Sequence, residues 1–215
     1  MPAQTGKSGR GIRALVARVR TGIDTAGERM PVYLPGFGGS ARQLMLVPQD
    51  LRTADPSLAA EYAVGQLGLA GAVATLDGRS PFEVPPPSSA WERALHEFDW
   101  LRDLRSADSA EASDDARALV GEWIDGQAAR RGIAWQADVT ARRLISWLSN
   151  GGMLLDDVAT EDYERVVRSL DRQLDHLVET RDRVPHGRDR LLLLNAVMLA
   201  ALCLSGRDEL IAGNI

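Results

Sequence analysis

Arg188 and Asp189 stand side by side ahead of a leucine-rich run, behind His186 and Gly187 and followed by Arg190. A helix starting here offers free backbone N–H groups and the positive end of its dipole, and two arginines add charge suited to a carboxylate or sulfate. The plain alternative is a polar helix start covered by solvent-exposed charges. Asn195 lies one turn further in, surrounded by leucines. A buried amide must be hydrogen-bonded, so it either joins neighbouring helices or faces a groove. A second group sits in Trp135 to Trp147, "WQADVTARRLISW". On a helix Val139, Arg143 and Trp147 fall on one line, four residues apart. Arg143 then stacks on Trp147 and pairs with an acid from another helix, or it clamps an anionic sugar with Trp135 or Trp147 as platform. The residues alone leave both readings open. Arg142, four residues after Asp138, reads as a surface ion pair.

Other chemistries have little support. The three histidines, His96, His176 and His186, have no metal-ligand spacing, and His96 and His176 read as surface residues within helices. No Gly-x-Ser-x-Gly elbow or nucleophilic cysteine motif occurs, and no cofactor is implied. Gly36-Phe37-Gly38-Gly39 lacks the Lys-Ser/Thr of a phosphate loop. Cys203 is alone in a leucine-rich run and reads as a buried small apolar residue. The tryptophans mostly occupy helix stripes, where core packing is their default role.

Composition bounds the partners. With 215 residues, 45% apolar and 26% charged, the chain is an ordinary globular protein with room for a proper core. A formal net charge of −5 argues against a nucleic-acid binder. Lys7 is the single lysine among 25 Lys and Arg residues, a bias that reflects genome composition, so each arginine must be argued by position. No run approaches the roughly 18 apolar residues of a membrane span. Residues 1–30 read as a basic amphipathic surface helix without the features of a secretory signal, which leaves the cytoplasm as default and the periplasm open.

The elements that must position these residues are helical. Residues 1–43 are the basic helix and a Gly/Pro-rich loop. Residues 44–87 form an extended arm: a short strand at 44–47, a helical turn at 58–64, and a β-hairpin near 67–78 for which Asp77-Gly78 is the turn signal. From 88 to 215 the chain is helical. Ser89 and Glu92 form a capping box for a helix with Trp91, Leu95, Phe98, Leu101 and Leu104 on one stripe. Ser113 to Asp115 cap a second helix burying Ala116, Leu119, Val120, Trp123 and Ala128. The Trp135 helix stops at Asn150-Gly151-Gly152. Thr160 starts a long one-sided helix bearing Tyr163, Val166, Val167, Leu170, Leu174, Leu177 and Val178. The helix from about Arg188 to Leu204 is apolar all round, which predicts burial on every side, and Asp208 begins another. Outer and inner helices of stacked antiparallel pairs have this pattern, and the abrupt end suggests a fragment.

Several stretches together resemble the heparinase II/III family of bacterial polysaccharide lyases: "DLRTADP", "GLAGAVATLDGRSPFEVPPPSSAWERALHEFDWLRDLRSAD", "WQADVTARRLISWL" and "GRDRLLLLNAVMLAALCLSG". The resemblance covers roughly residues 44 to 215. It implies an all-α fold of antiparallel helix pairs, the first part of an incomplete (α/α) toroid, with a short irregular or β-hairpin N-terminal arm. A C-terminal β-sandwich that completes the family's active site would be absent. The implied chemistry is β-elimination on a uronate-containing acidic polysaccharide such as a glycosaminoglycan, without metal. Arg188 and Asp189 would be the catalytic groups, and Arg143, Trp147, Trp135, Arg190 and Asn195 the substrate-binding ones. Many members carry Asn-His directly after the glycine matching Gly187, where this chain has Arg188-Asp189. Two alternatives stand beside the lyase. One is a carbohydrate-binding or scaffold toroid with the catalytic pair lost. The other is a glycoside hydrolase, which needs two carboxylates about 5–9 Å apart.

Overall fold

The computed structural model describes residues 42–126, 131–207 and 209–210. These belong to one unit, Phe37–Ile215. The expected basic helix over 1–30, the glycine-rich loop after it, Ala128 and the helix start at Asp208 lie outside the described residues.

The described chain is mostly helical with one two-stranded sheet. Helix α1 (Ser57–Ala63) leads into β1 (Gln66–Leu69) and β2 (Ala72–Thr75), which pair antiparallel. The hairpin turn is Ala70-Gly71, with φ of 49° and 77°, the left-handed pair a tight two-residue loop requires. Asp77-Gly78, expected to be that turn, instead folds the chain back after β2, with the Arg79 N–H donating to Leu76 O at 2.9 Å. The arm is not a separate layer. Leu58, Leu67, Leu76 and Val84 enter the same core as the helices, and Trp91 Nε1 donates to Leu67 O at 3.0 Å.

Helix α2 (Ser89–Glu97) is capped one residue earlier than the capping-box reading gives. Ser88 is extended, and its Oγ accepts the Trp91 N–H at 3.1 Å. The expected single stripe from Trp91 to Leu104 is buried throughout but is not one helix. Phe98 adopts φ 59°, and α3 (Leu101–Ser106) starts afresh. A left-handed phenylalanine is costly. Its ring sets that cost against contacts with Trp100, Trp123 and Trp147, at centroid distances of 4.9, 6.1 and 5.3 Å.

Helix α4 (Ala110–Gly126) begins earlier than expected, with Ser109 Oγ accepting the Ala112 N–H at 3.1 Å; Ser113 to Asp115 lie inside it. Its inward residues are Ala116, Leu119, Val120 and Trp123. A 3-10 turn (Ile133–Trp135) introduces α5 (Ala137–Ser149), which packs against α2, α7 and, most extensively, α8. Helix α5 ends at Ser149 with Asn150 as its C-cap, as the Asn150-Gly151-Gly152 signal predicts, and a separate short helix, α6 (Gly151–Leu155), follows directly and includes both glycines. Gly151 is needed for close approach: a Cβ there would lie 2.8 Å from Leu44 Cδ2 and 3.1 Å from Val47 Cγ2. Arginines close helix ends. Arg105 Nη1 donates to Ser149 O at 2.8 Å, and Arg117 Nε to Met153 O at 2.9 Å.

Helix α7 (Thr160–Thr180) is one-sided as its pattern predicts, burying Val167, Leu170, Leu174 and Leu177. A short turn returns the chain into α8 (Arg188–Cys203). Residues 42–47 strap this pair. Met45 N–H donates to Cys203 O at 2.6 Å, Leu44 N–H to the Tyr163 hydroxyl at 3.0 Å, and Leu44 bridges Leu204. One expectation fails here. Helix α8 buries Leu193, Ala196, Val197, Ala200, Ala201 and Cys203, but Leu191 is 70% and Leu202 53% exposed. Its apolar far side has no cover among the described residues.

Candidate functional site

Helix α5 carries Arg143 into the centre of the core. The side chain is fully buried, so every hydrogen bond lost to water must be replaced by protein. Nε donates to Gln173 Oε1 at 2.9 Å, and Nη1 to His96 O at 3.0 Å and Ala134 O at 2.7 Å. Nη2 donates to Thr140 Oγ1 at 3.3 Å. The guanidinium carbon lies 4.0 Å from the Trp123 ring centroid and 5.5 Å from that of Trp135. All four hydrogen-bond partners are neutral. Burial pulls the pKa of Arg143 well down, and neutral dipoles plus the Trp123 face are what hold the charge. Arg143 thus stacks on Trp123, not on Trp147, and uses Gln173 in place of the expected acid. It joins the C-terminal end of α2, the 3-10 turn, α5 and α7.

Trp147 and Trp135 are also core residues, 1% and 5% exposed. Trp147 packs edge-on to Phe98 and Trp123, at 5.3 and 5.4 Å. Neither offers a face to solvent on which a sugar ring could stack.

His96, expected at the surface, belongs to this cluster and is 8% exposed. Its Nδ1 accepts the Trp123 indole N–H at 3.1 Å, which places the ring proton on Nε2 of a neutral imidazole. Burial, and then the charge of Arg143, push its pKa down to about 4. His176 is half-buried, with Nε2 2.9 Å from Trp135 O. The residues missed were therefore Gln173, His96 and Trp123 as partners of Arg143. Gln173 had a signal: it fills the stripe position between Leu170 and Leu177 on α7, where an apolar residue is the norm.

The other proposed group lies at the surface. Arg188, Asp189 and Asn195 are exposed, so Asn195 is not the buried amide its leucine neighbours suggested. Arg190 is tied into its own turn, with Nη1 donating to Val184 O at 3.2 Å and Nη2 3.6 Å from Asp182 Oδ1. Among the described residues, the hydrogen bonds of Arg143 run to Gln173, His96, Ala134 and Thr140 and those of Arg190 to Val184, so the two groups are not brought together. Three of the seven candidates are sealed in the core, and the other four sit at or near the surface of α8. Arg142 does not pair with Asp138 but lies 3.5 Å from Glu97 and 3.7 Å from Asp99, while Asp138 takes Arg93.

Among the described residues, little else is shaped to act on a ligand. A recess of about 60 Å³ is lined by Pro81, Phe82, Val84, Trp91, Leu95 and His96, among others, and is too small for a sugar. Among the described residues no group of His, Cys, Asp and Glu could hold a metal ion, and no helix is long and apolar enough to cross a membrane. Cys203 is fully buried, and burial pushes its thiol up to about 11, the state of a packing residue.

Comparison with known proteins points elsewhere than polysaccharide. No family model matches the chain, and no solved structure does. The chain is 30% identical over 161 residues to FtsZ-localized protein C of Caulobacter vibrioides. That match takes in 71% of this chain but 26% of the relative, so the chain spans about a quarter of the relative's length. The relative is named for localisation with FtsZ, which overturns the reading as a polysaccharide lyase and, with it, polysaccharide degradation as the activity.

Proposed function

We propose that this chain is a helical protein-interaction module that acts with FtsZ in cell division. The observation that carries this reading is the 30% identity to FtsZ-localized protein C, sustained over most of the chain. The chemistry of the described residues is in keeping with it. The strongest polar cluster, around Arg143, is consumed in holding helices together, while the surface carries arginine–carboxylate pairs and an uncovered apolar stripe on α8. Such a surface suits contact with protein.

As part of the same proposal, α5, α7 and α8 are the start of an (α/α) toroid of the heparinase II/III-like kind, inherited as a scaffold. What supports this is the contrast between α5, buried nearly all round, and α7, buried on one side. Fold and activity are separable in this way. The test is localisation in cells. A fluorescent fusion of the chain should concentrate where FtsZ does and disperse when FtsZ is depleted. A uniform distribution that ignores FtsZ depletion contradicts the proposal.

A further inference from the structure

Residues 42–47 lie against the C-terminal end of α8, yet none of the six is buried. Leu44 and Val47 meet Gly151, in the notch its missing side chain leaves, while Met45 and Leu46 are exposed. Backbone bonds to the turn after α8 hold the rest. Gln43 N–H donates to Ser205 Oγ at 2.8 Å, and Ser205 N–H returns to Gln43 O at 2.9 Å. One carboxylate closes the end. Asp171 Oδ1, on α7, lies 2.8 Å from Arg42 Nε and accepts Arg207 Nε and Nη2 at 2.8 and 2.6 Å. Arg207 Nη2 also donates to Asp175 Oδ1 at 2.6 Å, and Arg42 Nη1 to Gly206 O at 2.8 Å.

We infer that this strap is a releasable clasp: it opens as a unit and uncovers a groove for an extended segment of another protein. Three features keep the cost of opening low. Ion pairs as exposed as that of Arg42 contribute little each. Asp171 is not left alone when Arg42 departs, because Arg207 stays on it and on Asp175. Little apolar surface leaves the core, which is what separates local opening from global unfolding. The pivot is short: residues 48–51 have no regular structure, and Arg52 then anchors the chain to Asp99 at 3.2 Å.

What opening uncovers is defined by what fills it when closed. Asp171 accepts a guanidinium, the Tyr163 hydroxyl and Cys203 O accept backbone N–H groups, and the Gly151 notch takes a leucine and a valine. The segment that fits is extended, with the pattern Arg-x-Leu-x-x-Val. A second copy gains nothing by exchanging straps, since each leaves the same groove it enters, so the source is a different protein. The closed strap excludes that partner.

Native-state hydrogen exchange tests the opening. The amides of Gln43, Leu44, Met45 and Ser205 should exchange together, at least about a hundredfold faster than α5 amides such as that of Leu144. Raising salt from about 0.05 to about 0.5 M should speed them and leave α5 unchanged. Exchange of the strap amides at the α5 rate, with no response to salt, overturns the inference. The groove is tested with the peptide acetyl-Arg-Gln-Leu-Met-Leu-Val-amide and the chain carrying Leu44→Ala, its fold checked by circular dichroism. That chain should bind the peptide at least about tenfold more tightly than wild type, because its own strap competes less. Arg42→Ala should shift affinity in the same direction without touching the notch. A peptide with glutamate for arginine and alanine for the first leucine should not bind. Equal affinity for variant and wild-type chains, no binding to either, or equal binding of the altered peptide each overturns the inference.

Discussion

Arg143 keeps its charge in the core on neutral acceptors alone. Replacing it with alanine removes the donors of His96 O, Ala134 O and Gln173 Oε1 together and leaves a cavity against Trp123. Arg143→Ala should therefore cost about 3–5 kcal/mol, read as a lower urea midpoint. Arg143→Lys should recover little of it, since a point charge cannot reach three acceptors in the fork geometry. A role in ligand contact would instead leave stability near wild type. His96 gives the same cluster a pH signature. Its folded pKa of about 4 lies below the 6.5 of an unperturbed histidine, so the unfolded chain binds the extra proton between those values. Stability is complete above about pH 6.5, falls as pH drops towards 4, and the loss reaches about 3 kcal/mol. His96→Gln should flatten that slope, measured as the difference in urea midpoint between pH 7 and pH 4.5. Asp50, pulled to about 2 chiefly by its hydrogen bond from Arg52, loses its contribution only at lower pH, so the two windows separate.

Elements explain what could be read ahead of the structure. Helix α7 was legible because its apolar residues keep to one face and its outer face is charged, so pattern and burial agree. The break at Phe98 was not. No glycine or proline marks it, and the left-handed turn exists because distant tryptophans receive the ring. Arg143 was legible as an unusual arginine from Val139 and Trp147, yet apart from Thr140 its hydrogen-bond partners come from α2, the 3-10 turn and α7, which spacing within α5 cannot reveal. Helix α8 misled in the opposite sense. An all-round apolar helix states what its side chains favour, not which neighbours are present. The strap and α6 make a prediction of their own. Gly151→Ala drives a methyl against Leu44 and Val47. It should cost about 1–3 kcal/mol in thermal or urea unfolding. It should also speed hydrogen exchange at the Met45 amide, which bonds Cys203 O. Ser88→Ala, which strips the cap from α2, should cost about 1 kcal/mol on the same scale.

At the scale of the molecule, the resemblance to a lyase family rested on four stretches of sequence, and its chemistry is overturned by the match to FtsZ-localized protein C. The stretches that carried it supply core residues: Trp91, Phe98, Trp135, Arg143 and Trp147 are all buried. Such residues report how helices pack and can persist in proteins of different activity. Of the remaining candidates, Arg188 and Asn195 lie along the exposed side of α8, and Asp189 is exposed in its first turn, off that line. Association with FtsZ is the claim to test most directly. Purified chain mixed with assembled FtsZ and sedimented should pellet with the polymer, saturably, and remain in solution when FtsZ is unassembled or absent. A chain that stays in the supernatant at every FtsZ concentration, while folded by circular dichroism, would contradict it.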